Sequence, residues 1–528
     1  MSLQELELTA RKAWIVAVEV PATTVLAYGF FMVAAYLIAR SIYLLALHPL
    51  ARFPGPKVAA VSDIWYAYHW LTGRYPWAIE AVVKKYGDVV RIAPNELVFM
   101  TPAAFGDIHG TVVRGCEVFI KTKFQDVDTP EPGLTAERDP ERHKGLRKQI
   151  LPAFGGKALH GVELLLYRHV DSFIAQLKEH GTKAEKGIEI TKWIDWLTWD
   201  FAGDVGYSCE FDQVKNMKYS INLSSFLDLA PWGTINQISR RFPLIRPLIW
   251  FIIPSKIART LSVALKHNRE EVRRRVRDRK ALQHGDYFER LVPTDGLVPS
   301  EEWLLATANV FISAGYDTMA NHLAALLYFL CVNEEKYKRI TEEIRGAFTD
   351  YSQITLEQLQ TLPYLQAVID ETLRCHNNCS FGMPRVSPGA TVDGTFVPKG
   401  VVVQTCNFAR MHSEKYFKNA RKYQPERHLP KTHPLYDPEY SEDVKEAFNP
   451  FSQGPRGCPG VAITYMEAKI FLARFLWTFD VELINKKEID WERDIRVFTI
   501  WVRPEMYVKL SCRQMGSATS SEGNRHNV

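Results

Sequence analysis

Read for hydropathy, the chain opens with a long stretch free of charge. From Pro21 to Ala39 it reads "PATTVLAYGFFMVAAYLIA", nineteen residues, and after Arg40 comes a second apolar run, "SIYLLAL". About 20 such residues cross a bilayer as a helix. A secretory signal has a shorter apolar core, of about 7–15 residues. The pattern therefore predicts one transmembrane helix. "HPLARFPGPK" follows, where Pro49, Pro54 and Pro56 fix φ and stop helix continuation, so a stiff hinge is expected. Beyond it most of the chain has helical periodicity. "PWAIEAVVKKYG" and "GVELLLYRHVDSFIAQLKEHG" repeat apolar residues every three to four positions and close on Gly. The longest such segment begins at Ser300, a good N-cap, with Glu301 and Glu302 suited to the positive end of the helix dipole. Continuous from 301 to 332 it would measure roughly 48 Å. It is apolar nearly all round and should be central. Alternating strand patterns are few: "DVVRIAP" with "ELVFM", "ATVDGTFVPKGVVVQTC" and "IRVFTIWV". The expected fold is mostly α with a small β-rich lobe, preceded by an N-terminal transmembrane helix.

No repeat or flexible linker interrupts the chain between Pro56 and Leu510. The expected organisation is membrane anchor and hinge over 1–50, one catalytic domain over 51–512, and a polar, disordered tail over 513–528. Of the 528 residues 46% are hydrophobic and 24% charged, which is ordinary globular composition. A net charge of +5 without a block of Lys/Arg gives no nucleic-acid arm, but leaves room for a basic patch facing an acidic protein. Arg11 and Lys12 precede the apolar run; Arg40, Arg52 and Lys57 follow it, a distribution that leans toward a cytosolic body. Eight cysteines are too sparse for a disulfide scaffold. Cys375 and Cys379 flank His376 without further close ligands for zinc, so they read as structural thiols.

Three constellations carry chemistry. "AGYDT" sets Gly315, Asp317 and Thr318 inside the long helix. These are a helix-weakening residue, a charge that is costly unless paired or hydrated, and a hydroxyl able to bond the carbonyl of Ala314. A functional groove and a harmless kink both fit. "ETLR" places Glu371 and Arg374 three apart on one helical face, and "PERH" offers Arg427 as a second partner. Spacing alone favours a solvated surface pair over a buried cluster. Third, "NPFSQGPRGCPGVAITYMEAK" puts Cys458 among Gly454, Pro455, Gly457, Pro459 and Gly460, just before a helix. Converging N–H groups and a helix N-terminus favour a thiolate. That suits a nucleophile or a metal ligand.

"FSQGPRGCPG" resembles the haem-binding signature of the cytochrome P-450 family at every fixed position: Phe451, Gly454, Arg456, Cys458 and Gly460. "AGYDT", "ETLR" and "PERH" are similar to the family's further landmarks, in the expected order, and the resemblance runs from about Pro54 to Leu510. It implies a cytochrome P-450 fold with Cys458 as axial thiolate ligand of haem iron and Phe451 beside the sulfur. Arg456, Arg385, His143 and Arg147 would contact haem propionates; His143 stands where many members carry Trp. Glu371, Arg374 and Arg427 would form a structural triad, and Asp317 with Thr318 would supply protons. Met319 stands where many members have Thr or Ser. "LHPLARFPGPKVAAVSDIWYAYHWLTG" and "YGDVVRIAPNELVF" look like microsomal members of filamentous-fungal secondary metabolism.

That resemblance implies a monooxygenase using O2 and electrons from NADPH through an FAD/FMN reductase, in the endoplasmic reticulum membrane with its body facing the cytosol. The substrate would be a small apolar terpenoid, polyketide or alkaloid. Basic residues of "HKGLRK" and "RKYQPER" would dock the reductase. Pocket walls are expected from Ile120 to Leu134, at Phe311 and Ala314, from Ser380 to Met383, and from Val497 to Ile500. The alternatives are a haem-thiolate isomerase or dehydratase needing no reductase, a non-catalytic haem sensor, and a cysteine hydrolase without haem. Glycans at Asn222 or Asn378 would mark a lumenal body.

Overall fold

The computed structural model describes residues 21–513, apart from 127, 128, 130, 252, 253, 282, 283 and 296. Arg11, Lys12 and the tail beyond Arg513 lie outside the described residues, as does part of the expected wall between Ile120 and Leu134. The predicted anchor is helix α1 (Ala22–Ile42), prolonged by a π turn at Tyr43–Leu47. Thr23–Leu47 is long and apolar enough to cross a membrane, with mean hydropathy 2.0 and almost none of it buried. The proline segment behind it is fixed to the body. Arg40 Nη1 donates to the Val61 carbonyl (2.7 Å), Arg91 Nη1 to that of Leu44 (2.7 Å), and the Arg91 N–H to that of Pro54 (2.8 Å).

Helices α2 (Ile64–Leu71) and α3 (Tyr75–Tyr86) lead into strands β1 (Val89–Ala93) and β2 (Glu96–Phe99). β3 (Ile120–Lys121), α4 (Pro140–Ile150) and α5 (Gly156–Gln176) come next, then β4 (Ile188–Glu189) and α6 (Ile190–Tyr207). α7 (Ile221–Ser239) and α8 (Ser255–Arg277) precede the long helix α9 (Glu301–Val332), whose bounds are those predicted. Ser300 caps it, accepting the Trp303 N–H at 3.3 Å. α10 (Glu334–Ala347) and α11 (Pro363–Cys375) are followed by β5 (Arg385–Val386) and β6 (Val402–Thr405). The chain closes with α12 (Val461–Thr478), β7 (Phe479–Leu483), β8 (Arg496–Phe498), β9 (Ile500–Val502) and β10 (Tyr507–Cys512). The fold is mostly α, as expected.

α9 runs through the middle, along α6 and against α8, α11 and α12. From Met319 to Leu327 every one of its residues is buried. Gly315 earns its place by packing: a Cβ there would lie 3.2 Å from that of Ala202 on α6, so the two helices meet closely. The main sheet has the order β1-β2-β6-β5-β3, with β6 parallel to β2 and the other pairs antiparallel. β7, β10 and β4 form a second antiparallel sheet, and β8–β9 is a separate hairpin. The sequence reading missed β7 and β10. β7 continues straight from the helical pattern of α12, but β10 carried a readable signal, since Val508 and Leu510 alternate inward. Of the two glycosylation acceptors, Asn222 is only 8% exposed on α7, and partly buried Asn378 donates to the Thr318 carbonyl, so a glycan at either would disturb this packing.

The surface reading of Glu371 fails as well. Its carboxylate is fully buried and chelated by Arg374, Nε to Oε2 and Nη2 to Oε1, both at 2.8 Å. Arg427 Nε (3.2 Å) and the Gln424 N–H (2.8 Å) also reach Oε1, and His428 Nε2 lies 3.0 Å from Oε2. Arg374 Nη1 donates to the carbonyls of Met411 and Ala420, both at 2.7 Å, and Nη2 to that of Lys422 at 3.1 Å. Burial would raise the Glu371 pKa, but its cationic partners hold it well below the usual carboxylate range. Arg374→Met would leave this charge buried with only part of its partners, at a cost of about 3–5 kcal/mol in denaturant unfolding. The double variant Glu371→Gln/Arg374→Met should lose less than Arg374→Met alone.

Candidate active site

Cys458 sits in the turn that feeds α12. The turn is made by backbone bonds: the Cys458 N–H donates to the Phe451 carbonyl (2.9 Å) and that of Gly457 to Gly454 (3.0 Å). Gly454 has φ +70°, and a Cβ there would collide with the His109 carbonyl, so only glycine fits. The Gly460 N–H points at Cys458 Sγ, 3.3 Å away, and Phe451 packs on Tyr465 with ring centroids 5.6 Å apart. Arg147 on α4 ties in the turn from the other side, Nη1 to the Gly457 carbonyl at 2.8 Å. The Cys458 residue is exposed, although protein surrounds its sulfur closely. Burial raises its thiol pKa, with the Gly460 N–H and Arg147 pulling the other way. The thiol is thus not a low-pKa nucleophile on its own, which corrects the sequence reading. The same donors are those that would support a thiolate once a metal cation takes the proton's place.

Beside this turn lies a group of cations. Lys121 on β3 and Arg385 on β5 are direct cross-strand partners, an arrangement that like charges normally avoid. Arg385 is 3% exposed, and its Nε and Nη1 have no hydrogen-bond partner among the described residues. Its pKa is lowered to about 10, chiefly by burial and then by Arg456. Lys121 Nζ donates to the Thr135 carbonyl at 2.6 Å, yet burial and the nearby Arg385 and Arg456 push its pKa well down. Arg456 pairs with Glu117 and donates through Nη1 to the Glu137 carbonyl at 2.6 Å. His143, 3% exposed on α4, is pushed down to about 3, first by burial and then by Arg456, Lys121, Arg147 and Arg385, so it is neutral. Four cations therefore converge, with Glu117 paired to Arg456 and Glu137 and Asp139 also near it. Further carboxylates would be favourable here, and the two propionates of a haem are such groups. The expected cofactor thus fits residues that the protein by itself leaves under-compensated.

Across from Cys458, α9 presents Ala314, Asp317 and Thr318. Ala314 is exposed, and Ser313, Gly315, Asp317 and Thr318 around it are only partly buried. Thr318 Oγ1 donates to the Ala314 carbonyl (2.6 Å), Asn321 Nδ2 to the Asp317 carbonyl (2.6 Å) and Asn378 Nδ2 to the Thr318 carbonyl (2.9 Å). Three backbone acceptors of one helical turn thus receive side-chain donors, which loosens the turn without breaking the helix. Asn321 Nδ2 also reaches Asp317 Oδ1 at 2.9 Å. Asp317 retains some accessible surface, but it faces the interior, and burial raises its pKa to about 7 against the pull of Arg503 and Asn321. It is poised to hold or release a proton near neutrality.

The segment after α11 closes the space. Asn377 Nδ2 lies 3.4 Å from the Pro450 carbonyl beside the cysteine turn, while Asn378 bonds α9. The Cys379 thiol, raised to about 11 mainly by burial, feels Cys458, Asp317 and Lys121. Cys379 therefore lies between the two sides of the site. Phe381 packs on Phe124 (5.3 Å between centroids) and on Trp70 (5.0 Å). Several of the expected wall positions are instead core, Phe381 (6% exposed) and Val497 (1%) among them. Phe311 is turned into packing with Tyr287 and Phe154, and Ser380 is fully buried. Sequence reasoning missed Lys121, Asn321, Asn378, Cys379 and Arg503. No local pattern marks them, because strand pairing and the turn after α11 bring them here.

Arg385→Leu should make haem-loaded protein lose haem to an acceptor globin about 10–100-fold faster, the loss of one or two charge-assisted hydrogen bonds. The same substitution should leave the unfolding midpoint of haem-free protein unchanged or raised, since it removes a like-charge clash. Asp317 gives a pH signature. Its folded pKa, about 7, lies above its ordinary value of 3.8, so the folded state holds more protons between these values. The stability it contributes is fully present below about 3.8 and is lost as pH rises through about 7. Thermal midpoints of the native protein should therefore fall relative to Asp317→Asn across that window.

The chain matches the family model Cytochrome P450 over residues 62–504. It is 40% identical over 480 residues to cytochrome P450 monooxygenase TwmD of Talaromyces wortmannii, covering 90% of this chain and 94% of that one. Cytochrome P450 monooxygenase poxC of Penicillium oxalicum is 41% identical over 90% of this chain and 92% of its own. Cytochrome P450 monooxygenase BOA3 of Botryotinia fuckeliana is 37% identical over 92% and 96%. Likeness of this depth across nearly the whole length leaves one assignment: this chain belongs to the cytochrome P450 family and is a haem monooxygenase.

Proposed function

We propose that this monooxygenase oxidises a small apolar intermediate of fungal secondary metabolism, a terpenoid, polyketide or alkaloid, with electrons from NADPH through an FAD/FMN reductase. The observation that carries the site assignment is the facing arrangement itself: a cysteine turn and buried cations on one side, an acid–alcohol pair on the other. Haem held by Cys458 would supply oxygen activation and oxidising power. Arg147, Arg385 and Arg456 would bind its carboxylates, with Lys121 adding charge and neutral His143 beside them. Asp317 holds a proton at its carboxyl, and Thr318 Oγ1, its own hydrogen spent on Ala314, accepts and positions the water that carries it. Half-buried Phe124, backed by the buried rings of Phe381 and Trp70, would offer an apolar surface to such a substrate. The narrower substrate class is supported by the two N-terminal segments and by relatives from filamentous fungi.

The anchor reading rests on α1 and on apolar residues beside it. Ile64, Tyr68 and Leu71 are all more than half exposed on one face of α2, and Leu244 is 94% exposed nearby in the chain leaving α7. α2 packs on α7, so these residues extend a lipid-facing surface from the foot of α1. We place α1 in the endoplasmic reticulum membrane, single-pass, with the body on the cytosolic side. Residues 51–512 then act as one catalytic domain. Lys144, Lys148 and Lys422 are exposed on the cysteine side and offer charge to an acidic reductase. Arg421 is less available there, being paired with Glu80 and Glu492.

Reduced protein under carbon monoxide should give the long-wavelength Soret band of thiolate-ligated haem, and Cys458→Ala should abolish it. Protein isolated without haem would sink the reading. With reductase, NADPH and a turned-over substrate, Thr318→Ala should keep NADPH consumption but divert at least half of it to peroxide. Product formed equally well without reductase or NADPH would instead identify an isomerase or dehydratase, and bound ligand with no product a sensor.

A further inference from the structure

Behind Asp317 lies a polar network that the proposed reaction does not itself require. Arg503 follows β9 and enters the interior with its side chain 9% exposed. Its Nη1 donates to Asn321 Oδ1 at 3.0 Å, and its Nη2 pairs with Asp195 Oδ1 on α6. Asn321, 1% exposed, turns its Nδ2 to Asp317, both to the carbonyl and to Oδ1. This amide has one sensible orientation. Flipped, its oxygen would face the Asp317 oxygens and its NH2 the guanidinium. Asp195 is further held by Tyr316 Oη (2.8 Å) and Tyr219 Oη (3.2 Å). Three remote pieces of chain, α6, α9 and the end of the β8–β9 hairpin, thus meet behind one carboxyl group.

We infer that Arg503 is a positioning residue for Asp317, acting through Asn321 to fix the carboxyl's orientation and its proton affinity, while Asp195 holds the guanidinium in place. A guanidinium suits this task because its planar fork serves two partners at once. A surface ion pair needs no such arrangement. Here a buried cation is shared between a full counter-charge and an amide that passes its polarity onward to Asp317. The charged and titratable groups facing Asp317 are few. Arg503 comes from the hairpin, Asp195 from α6, Tyr316 from α9 itself and Cys379 from the segment after α11. Tyr316 and Cys379 stay neutral at physiological pH, because burial raises both. The balance is therefore set by burial and Asp195 raising the Asp317 pKa against Arg503 and Asn321 lowering it. The hairpin end, far along the chain from "AGYDT", would then tune when Asp317 carries its proton.

This inference rests on Asp317 being the proton donor, but its test does not. pH-difference infrared spectra of haem-loaded, full-length protein report the carbonyl band of a protonated carboxyl, assigned to Asp317 by its absence in Asp317→Asn. Arg503→Met should raise the midpoint of that band by about one pH unit, the effect of losing one nearby charge. Asp195→Asn should lower it, and Arg503→Lys, which keeps the charge, should restore most of the wild-type value. Asn321→Leu, which spares the Arg503–Asp195 pair, should also raise it, and serves if Arg503→Met fails to fold. A midpoint unmoved or lowered in Arg503→Met, or in Asn321→Leu in its place, overturns the inference. If instead Asp317→Asn left oxygen use fully coupled to product while these midpoints moved as stated, the proton-donor reading would fail and the positioning role would stand.

Discussion

The buried carboxylate of Glu371 is the contact on which the cysteine side of the molecule depends. Five nitrogen donors converge on its two oxygens, from Arg374 Nε and Nη2, Arg427, His428 and the Gln424 N–H. An ion pair out of water brings little net stability, because desolvation offsets most of the attraction. What it brings here is placement. Arg374 reaches from α11 to three carbonyls between Met411 and Lys422, and Arg427 to that of Lys418 and to Asp443. An irregular stretch with little secondary structure of its own is thereby fixed against a helix, and the turn around Cys458 follows directly from it. Any other packing of that stretch would leave a charge buried and unpaired.

The group around Arg385 obeys the opposite logic. Where the Glu371 cluster is satisfied internally, Lys121 and Arg385 face each other across a strand pair, with further cations close by. A protein chain selected only for stability has no reason to assemble this. A carboxylate-bearing cofactor provides one, because each propionate then meets preorganised donors whose desolvation has already been met in folding. Neutral His143 belongs to the same balance. A further positive charge in that position would cost more than it returned.

The central helix makes a third compromise. Seventeen of its 32 residues are buried, and the helix serves as the core's axis. Yet on its inward face Asp317 and Thr318 sit in a turn whose carbonyls take side-chain donors, and the acid is held near its titration point. The neighbours that make this tolerable, Asn321, Arg503 and Asp195, are themselves buried and bonded. The polar stretch therefore costs less than an isolated carboxylate would in such surroundings.

Much of this was legible in the sequence. Period and capping placed α9 to the residue, and the apolar run marked α1, because both signals are local and strong. The order of "AGYDT", "ETLR", "PERH" and the cysteine loop identified the family and most of the proposed site. Spacing favoured a surface pair for Glu371, and packing made it a buried cluster. The same holds for Lys121, Cys379, Asn378 and Arg503, whose parts depend on strand register, on the turn after α11 and on where a distant hairpin ends. Pocket walls were the least readable, since an aromatic residue on a helix or strand looks alike whether it faces a substrate or a neighbouring ring. Phe311 and Phe381, both expected as walls, are packed against other rings in the core. The sequence by itself determined which chemistry this protein carries, because that chemistry demands particular residue types at short fixed spacings. Only the tertiary structure decided how those residues are charged, bonded and tuned, because electrostatics and burial depend on neighbours that chain order does not reveal.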